Sequence, residues 1–96
     1  MSCLHTINGT PASGLFASCA TLLQPGDAVL FIEDGTYYCS VPAALPKLQE
    51  GIELYVLRED MIARGTLDQK LDLVELASYS KFVELCCEFD KVISWF

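Results

Sequence analysis

Positive charge is missing from the first 46 residues, and all six lysines and arginines fall between Lys47 and Lys91. Against thirteen acidic residues they leave a formal net charge of −7. Nucleic acids are held by clustered Lys and Arg, so direct DNA or RNA binding is not expected. Any service to an RNA pathway would run through partners. Histidine occurs once, at His5, which excludes a His-rich metal centre. The five cysteines, Cys3, Cys19, Cys39, Cys86 and Cys87, are odd in number and include no C-x-x-C pair. That is neither a disulfide framework nor a zinc site of the usual spacing. Reduced thiols of a cytosolic protein fit it best. No apolar run approaches the ~18–20 residues of a membrane span. No basic segment at the start leads into an apolar one, as a secretory signal requires. The expectation is a cytoplasmic protein with no membrane contact, no metal and no cofactor.

What is present in excess is apolar side chain. Of 96 residues, 52% are apolar, and the mean hydropathy is +0.36. That is rich for one soluble domain spanning 1–96. A chain of this length buries roughly 60–65% of its unfolded surface and is modestly stable alone. Two readings follow: apolar surface left for an oligomer interface, or an unusually dense core. The interface reading predicts that the isolated chain forms a homodimer or aggregates.

Apolar runs of strand length alternate with helix-length amphipathic stretches, the pattern of βαβ units and a parallel sheet. Strands are predicted near 2–7, 28–32, 52–57, 71–76 and 92–96. The run Ala28-Val29-Leu30-Phe31-Ile32 is continuously apolar, as a strand covered on both faces should be. A first helix is predicted over 13–23 with Ser13 as N-cap, and Leu15, Phe16, Cys19, Leu22 and Leu23 on one face. Residues 36–48 are ambiguous: Thr36 to Val41 look strand-like. Pro42 and Pro46 with the alanines between favour a short broken helix. Residues 59–64 form a short helix, with Arg64 at its carbonyl end and Gly65 as a left-handed cap. A last helix starts at Ser78 or Ser80 and runs to about Glu88, with Tyr79, Phe82, Val83, Cys86 and Phe89 inward. The first three strands end in Asn8-Gly9, Glu33-Asp34-Gly35 and Arg58-Glu59-Asp60. The carboxyl edge of an open α/β sheet is where function usually sits, although polar turns are needed there anyway.

The chemistry-bearing residues are few. Cys19 is the strongest candidate nucleophile, but it lies mid-helix on an apolar stripe, where a buried packing cysteine is the common case. No basic residue near it in sequence would activate it. Cys86-Cys87 is a vicinal pair in helical context, which disfavours a disulfide. Cys3 and Cys39 read as packing residues. His5 lies inside a strand and reads as a hydrogen-bonded structural histidine. Glu33 and Asp34 could act as paired carboxylates of a hydrolase, yet adjacent strand-end residues diverge and more often shape a turn. No G-x-S-x-G, P-loop or G-x-G-x-x-G is present. The chain contains no self-contained catalytic constellation.

Read in order, LHTIN near the start, the Ser18-Cys19 helix, GDAVLFIEDG, LYVLREDMIARG, the stretch from Tyr79 to Val83 and Trp95 resemble the TusB/DsrH family. The resemblance covers nearly the whole chain. No one motif is diagnostic; their order and spacing make the match. It implies a three-layer α/β/α sandwich on a five-stranded, mainly parallel sheet. It also implies assembly with TusC/DsrF-like and TusD/DsrE-like subunits into a heterohexamer holding two copies of each. Such complexes relay persulfide sulfur, in the Tus pathway toward 2-thiouridine at the tRNA wobble position, in the Dsr pathway during sulfur oxidation. The principal sulfur-carrying cysteine belongs to the TusD/DsrE subunit. DsrH-type members also have a cysteine in helix one, and Cys19 stands at that position. The resemblance thus implies a sulfurtransferase-complex subunit that is not catalytic alone, with Cys19 as persulfide carrier or as packing residue.

Overall fold

The five apolar runs pair side by side. In the computed structural model, which describes residues 2–45, 48 and 50–96, they are β1 (Cys3–Ile7), β2 (Ala28–Phe31), β3 (Glu53–Leu57), β4 (Glu75–Ala77) and β5 (Lys91–Trp95). The sheet order is β4-β3-β2-β1-β5, and every pairing is parallel. The helices are α1 (Leu15–Ala20), α2 (Arg58–Ala63) and α3 (Tyr79–Glu88).

The topology assigns each helix its side. The steps β1 to β2 to β3 to β4 all move one way along the sheet, and β4 to β5 returns to the opposite edge. Parallel crossovers share one hand, so the return must cross the other face. Side-chain parity agrees. Ile7, Val29, Phe31, Leu54 and Val56 form one buried cluster with Phe16, Cys19 and Leu23, with Tyr38 and Cys39, and with Met61 of α2. Leu4, Ala28, Leu30 and Tyr55 form the second, with Ala77 and with Leu85 of α3. The result is the expected three-layer α/β/α arrangement, with one face covered, among the described residues, by α3 alone.

The first helix is shorter than predicted. Pro11–Ser13 is a 3-10 turn, Gly14 at φ +75° breaks the path, and α1 runs only from Leu15 to Ala20. Gly14, not Ser13, is the N-cap. The Ser13 hydroxyl still accepts from Leu15 N at 3.3 Å while donating to Thr10 O at 2.6 Å. Phe16, Cys19 and Leu23 face inward as predicted, but Leu22 is exposed because the chain has left the helix there. Residues 36–41 form no strand. Glu33–Cys39 and Pro42–Ala44 are 3-10 turns, which keeps the broken-helix reading as far as Leu45. The part of it at Pro46 and Lys47 lies outside the described residues.

Strand four is displaced. Alternation in LDLVEL suggests 71–76, yet only Glu75–Ala77 pairs. Leu71 to Val74 is a turn, closed by Val74 N on Leu71 O at 3.2 Å and docked by Leu71 N on Cys39 O at 2.8 Å. The Lys70 ammonium ties the same turn, donating to Leu71 O at 3.0 Å and Val74 O at 2.6 Å. The long-range bond to Cys39 and the side-chain tie from Lys70 make no mark on local periodicity.

In α3 the Ser78 hydroxyl accepts from Lys81 N at 3.2 Å, the expected N-cap. Its inward stripe is buried Leu85 with half-buried Phe82, Cys86 and Phe89. Tyr79 and Val83, predicted inward, are exposed. They stand a quarter-turn round the helix from that stripe, and no further layer covers them. Gly65 takes φ +68° after α2, as the left-handed cap requires.

Candidate functional site

At the carboxyl edge the strand-end turns lock one another. Ile32 N donates to Ile7 O at 2.9 Å. Gly35 lies so close that a β-carbon there would sit 2.1 Å from the same Ile7 oxygen. Only glycine fits this approach. Glu33 adopts φ +50°, unusual for a non-glycine residue. Its N–H donates to Asp60 Oδ2 at 2.7 Å, and Arg64 Nε donates to Asp34 Oδ1 at 3.0 Å. The Glu33 backbone and the Asp34 side chain are thus both bound to α2 and its end. Both contacts are of the turn-shaping kind. The Asp34–Arg64 link spans thirty residues and had no local signal. Arg64 was legible only as a helix-end cation.

The thiols lie elsewhere. Cys19 sits under α1, fully buried between that helix and the sheet. Phe16 fixes α1 there. Its ring meets Phe31 and Tyr38 edge-on, at centroid distances of 5.1 and 5.3 Å, and its N–H donates to the Tyr38 hydroxyl at 3.4 Å. Burial pushes the Cys19 thiol up to about 12, with Cys3 and Asp27 adding to the rise. Cys39 is also buried, and burial pushes its thiol up despite Lys70 nearby. Cys3 is half-buried and raised by burial and by Asp27, with Lys91 opposing. Cys86 is half-buried and raised for the same first reason, and Cys87 is exposed. All five are unpaired thiols, so the Cys86-Cys87 pair is not a disulfide. Among the described residues, no group of three His, Cys, Asp or Glu side chains is arranged to hold a metal ion.

His5 is buried, and the Trp95 indole N–H donates to its Nδ1 at 3.1 Å. Its Nε2 lies 3.7 Å from Asp27 Oδ2, too far for a hydrogen bond. Asp27 is a residue that sequence reasoning passed over as part of a helix stop. It is buried, its Oδ1 accepts from Cys3 N at 3.0 Å, and its Oδ2 accepts from Gln24 N at 3.1 Å. It thereby clamps the start of β1 to the loop entering β2. An acid directly ahead of a continuously apolar strand was the only clue. The fold thus gathers Cys3, His5, Asp27 and Lys91 around an open recess of about 270 Å³, rimmed by Leu22 and Ile93. Cys19 lies behind this group, within electrostatic reach of Cys3 and Asp27.

Apolar side chains remain outside. On β5, Val92 and Ile93 are exposed, followed by Phe96 at 88%. On α3, Tyr79 and Val83 are exposed. No helix among the described residues is long and apolar enough to cross a membrane.

Comparison with known proteins adds four findings. A family model described as DsrH like protein matches residues 11–92. A protein named TusB from Photorhabdus laumondii is 34% identical over 97 residues, which covers 96% of this chain and 99% of that protein. The protein named TusB from Escherichia coli K12 is 34% identical over 94 residues, with the same coverage. The fold is similar to the solution NMR structure of protein Tm0979 from Thermotoga maritima, with a TM-score of 0.68. That match has 20% identity and covers 90% of this chain and 92% of the other.

Proposed function

Because the chain belongs to the TusB/DsrH family, we propose that it is a subunit of a cytoplasmic sulfur-relay complex, assembling with TusC/DsrF-like and TusD/DsrE-like subunits. The observation that carries this reading is identity of about a third to proteins named TusB across nearly the whole of both chains. Those names favour the Tus branch, sulfur transfer toward 2-thiouridine of tRNA, over the sulfur-oxidising Dsr branch. The net charge of −7 fits a subunit that serves tRNA through its partners. The exposed apolar residues of α3 and β5 supply surface for those partners.

The role proposed for this subunit is first of all assembly. A persulfide carrier must become a thiolate and reach a donor persulfide. In the isolated chain Cys19 meets neither condition, being fully buried with a thiol pushed up to about 12. Carriage of sulfur on Cys19 requires α1 to move when partners bind. The test is to incubate the assembled complex with a persulfide donor and map modified cysteines by mass spectrometry. Relay through this subunit gives label on Cys19, lost in Cys19→Ser with assembly intact. Label confined to the partner subunits, with the complex still transferring sulfur, assigns this chain assembly alone. Transfer that proceeds equally well without this chain overturns the proposal.

A further inference from the structure

The only histidine and the only tryptophan of the chain touch, and their contact adds a side-chain tie to the edge strand. β5 pairs with β1 alone, at the sheet edge. Of its five residues only Trp95 is not exposed. The start of β5 is clipped by Asp90, whose Oδ2 accepts from Ser2 N at 2.9 Å. Its end is held by the ladder to β1, by Asn8 N on Trp95 O at 3.5 Å, and by the Trp95 side chain, which packs against the core cluster and donates to His5 Nδ1 at 3.1 Å.

The indole N–H is a donor only. A bond from it to Nδ1 requires that nitrogen to be unprotonated, which places the proton of the neutral ring on Nε2. Nε2 is buried without a hydrogen-bond partner, 3.7 Å from Asp27 Oδ2. We infer that Trp95, His5 and Asp27 form an acid-sensitive latch on the edge strand β5. Uptake of one proton from solvent at Nδ1 turns it from acceptor to donor and breaks the bond to Trp95. The imidazolium then gains what the neutral ring lacks, a charge-assisted bond from Nε2–H to Asp27. Two donors face each other on one side of the ring while an ion pair tightens on the other, so the ring moves away from β5.

The ionisable groups around His5 are Asp27 from the loop entering β2, Cys3 from β1, Lys91 from β5, and Cys19 from α1 behind them. Burial holds the imidazole below its ordinary range, with Asp27 opposing. The latch therefore stays closed at neutral pH and opens on the acid side of about 6.5. Opening removes the side-chain tie at the end of β5, beside exposed Ile93 and Phe96, and leaves only the backbone ladder and packing there.

NMR of the full chain between pH 8 and 5 tests this. The expected result is an Nε2–H tautomer at pH 8 and a Trp95 indole resonance that shifts with the same midpoint as the His5 ring. Backbone exchange protection at the end of β5 should fall about tenfold through that midpoint, the loss of roughly one hydrogen bond. His5→Gln should abolish the shift. Should that variant fail to fold, Trp95→Phe serves instead. Removing a donor to the neutral ring raises its pKa, so His5 should titrate at higher pH. An Nδ1–H tautomer at pH 8, a Trp95 resonance that stays flat while His5 titrates, or an unmoved His5 midpoint in Trp95→Phe overturns the latch.

Discussion

Burial pushes the Cys19 thiol up to about 12, which leaves it overwhelmingly protonated at pH 7. Cys39 is buried likewise, whereas Cys87 is exposed. In the isolated native chain, timed maleimide labelling read by mass spectrometry should therefore modify Cys87 first. Cys19 and Cys39 should react only at the rate of structural opening. Cys19 reacting as fast as Cys87 would remove the reason to require partner-driven opening. Gly65 gives a backbone counterpart. At φ +68°, with open space around a new β-carbon, Gly65→Ala adds strain without a clash. Urea denaturation should show a loss of about 1 kcal/mol. For His5, a folded-state pKa below the ordinary imidazole value means that the unfolded chain binds more protons just below pH 6.5. Stability present above that pH is lost as pH falls through the window down to the folded pKa. A chemical midpoint that declines on the acid side in the wild type, but less in His5→Gln, is the expected outcome. At this scale the cysteine was legible because helical spacing placed it on the apolar stripe. Asp27 was not, because Cys3 and His5 reach it only through the fold, and its local bond to Gln24 N is that of any polar turn.

Among the elements, β1, β2 and β3 were readable to within a residue because short, largely apolar segments bounded by polar turns admit few other placements, β2 most of all as a continuous apolar run. The end of α3 was equally readable, and Ser78 marks its start. Ser78→Ala should cost about 1 kcal/mol in the same denaturation experiment, through the lost bond to Lys81 N. The errors share a cause. Residues 71–74 mimic a strand, but Cys39 and Lys70 satisfy their backbone as a turn. Val83 looks inward on a helical wheel until the stripe centred on Leu85 is seen to exclude it. The turn after β2 was read as polar punctuation, yet Gly35 there presses directly on Ile7 O. Gly35→Ala should destabilise by about 3 kcal/mol or more, or prevent folding, since backbone rather than a flexible side chain must give way. A loss below about 1 kcal/mol on thermal unfolding would contradict that close approach.

For the whole molecule, a five-stranded sheet covered on one face, among the described residues, by α3 alone leaves apolar residues of α3 and β5 in water. The excess of apolar residues read from composition therefore does not all enter the core. Burial against a partner would stabilise the fold by mass action. Light scattering of the isolated chain should report self-association across micromolar concentrations, and a monodisperse monomer would count against it. Native mass spectrometry of the chain mixed with TusC/DsrF-type and TusD/DsrE-type subunits from the same genome tests the central claim most directly. The expected result is a stable complex holding two copies of each subunit, formed at the expense of homo-oligomers of this chain. A chain that stays alone or with its own copies, while the other two subunits assemble without it, would contradict the account.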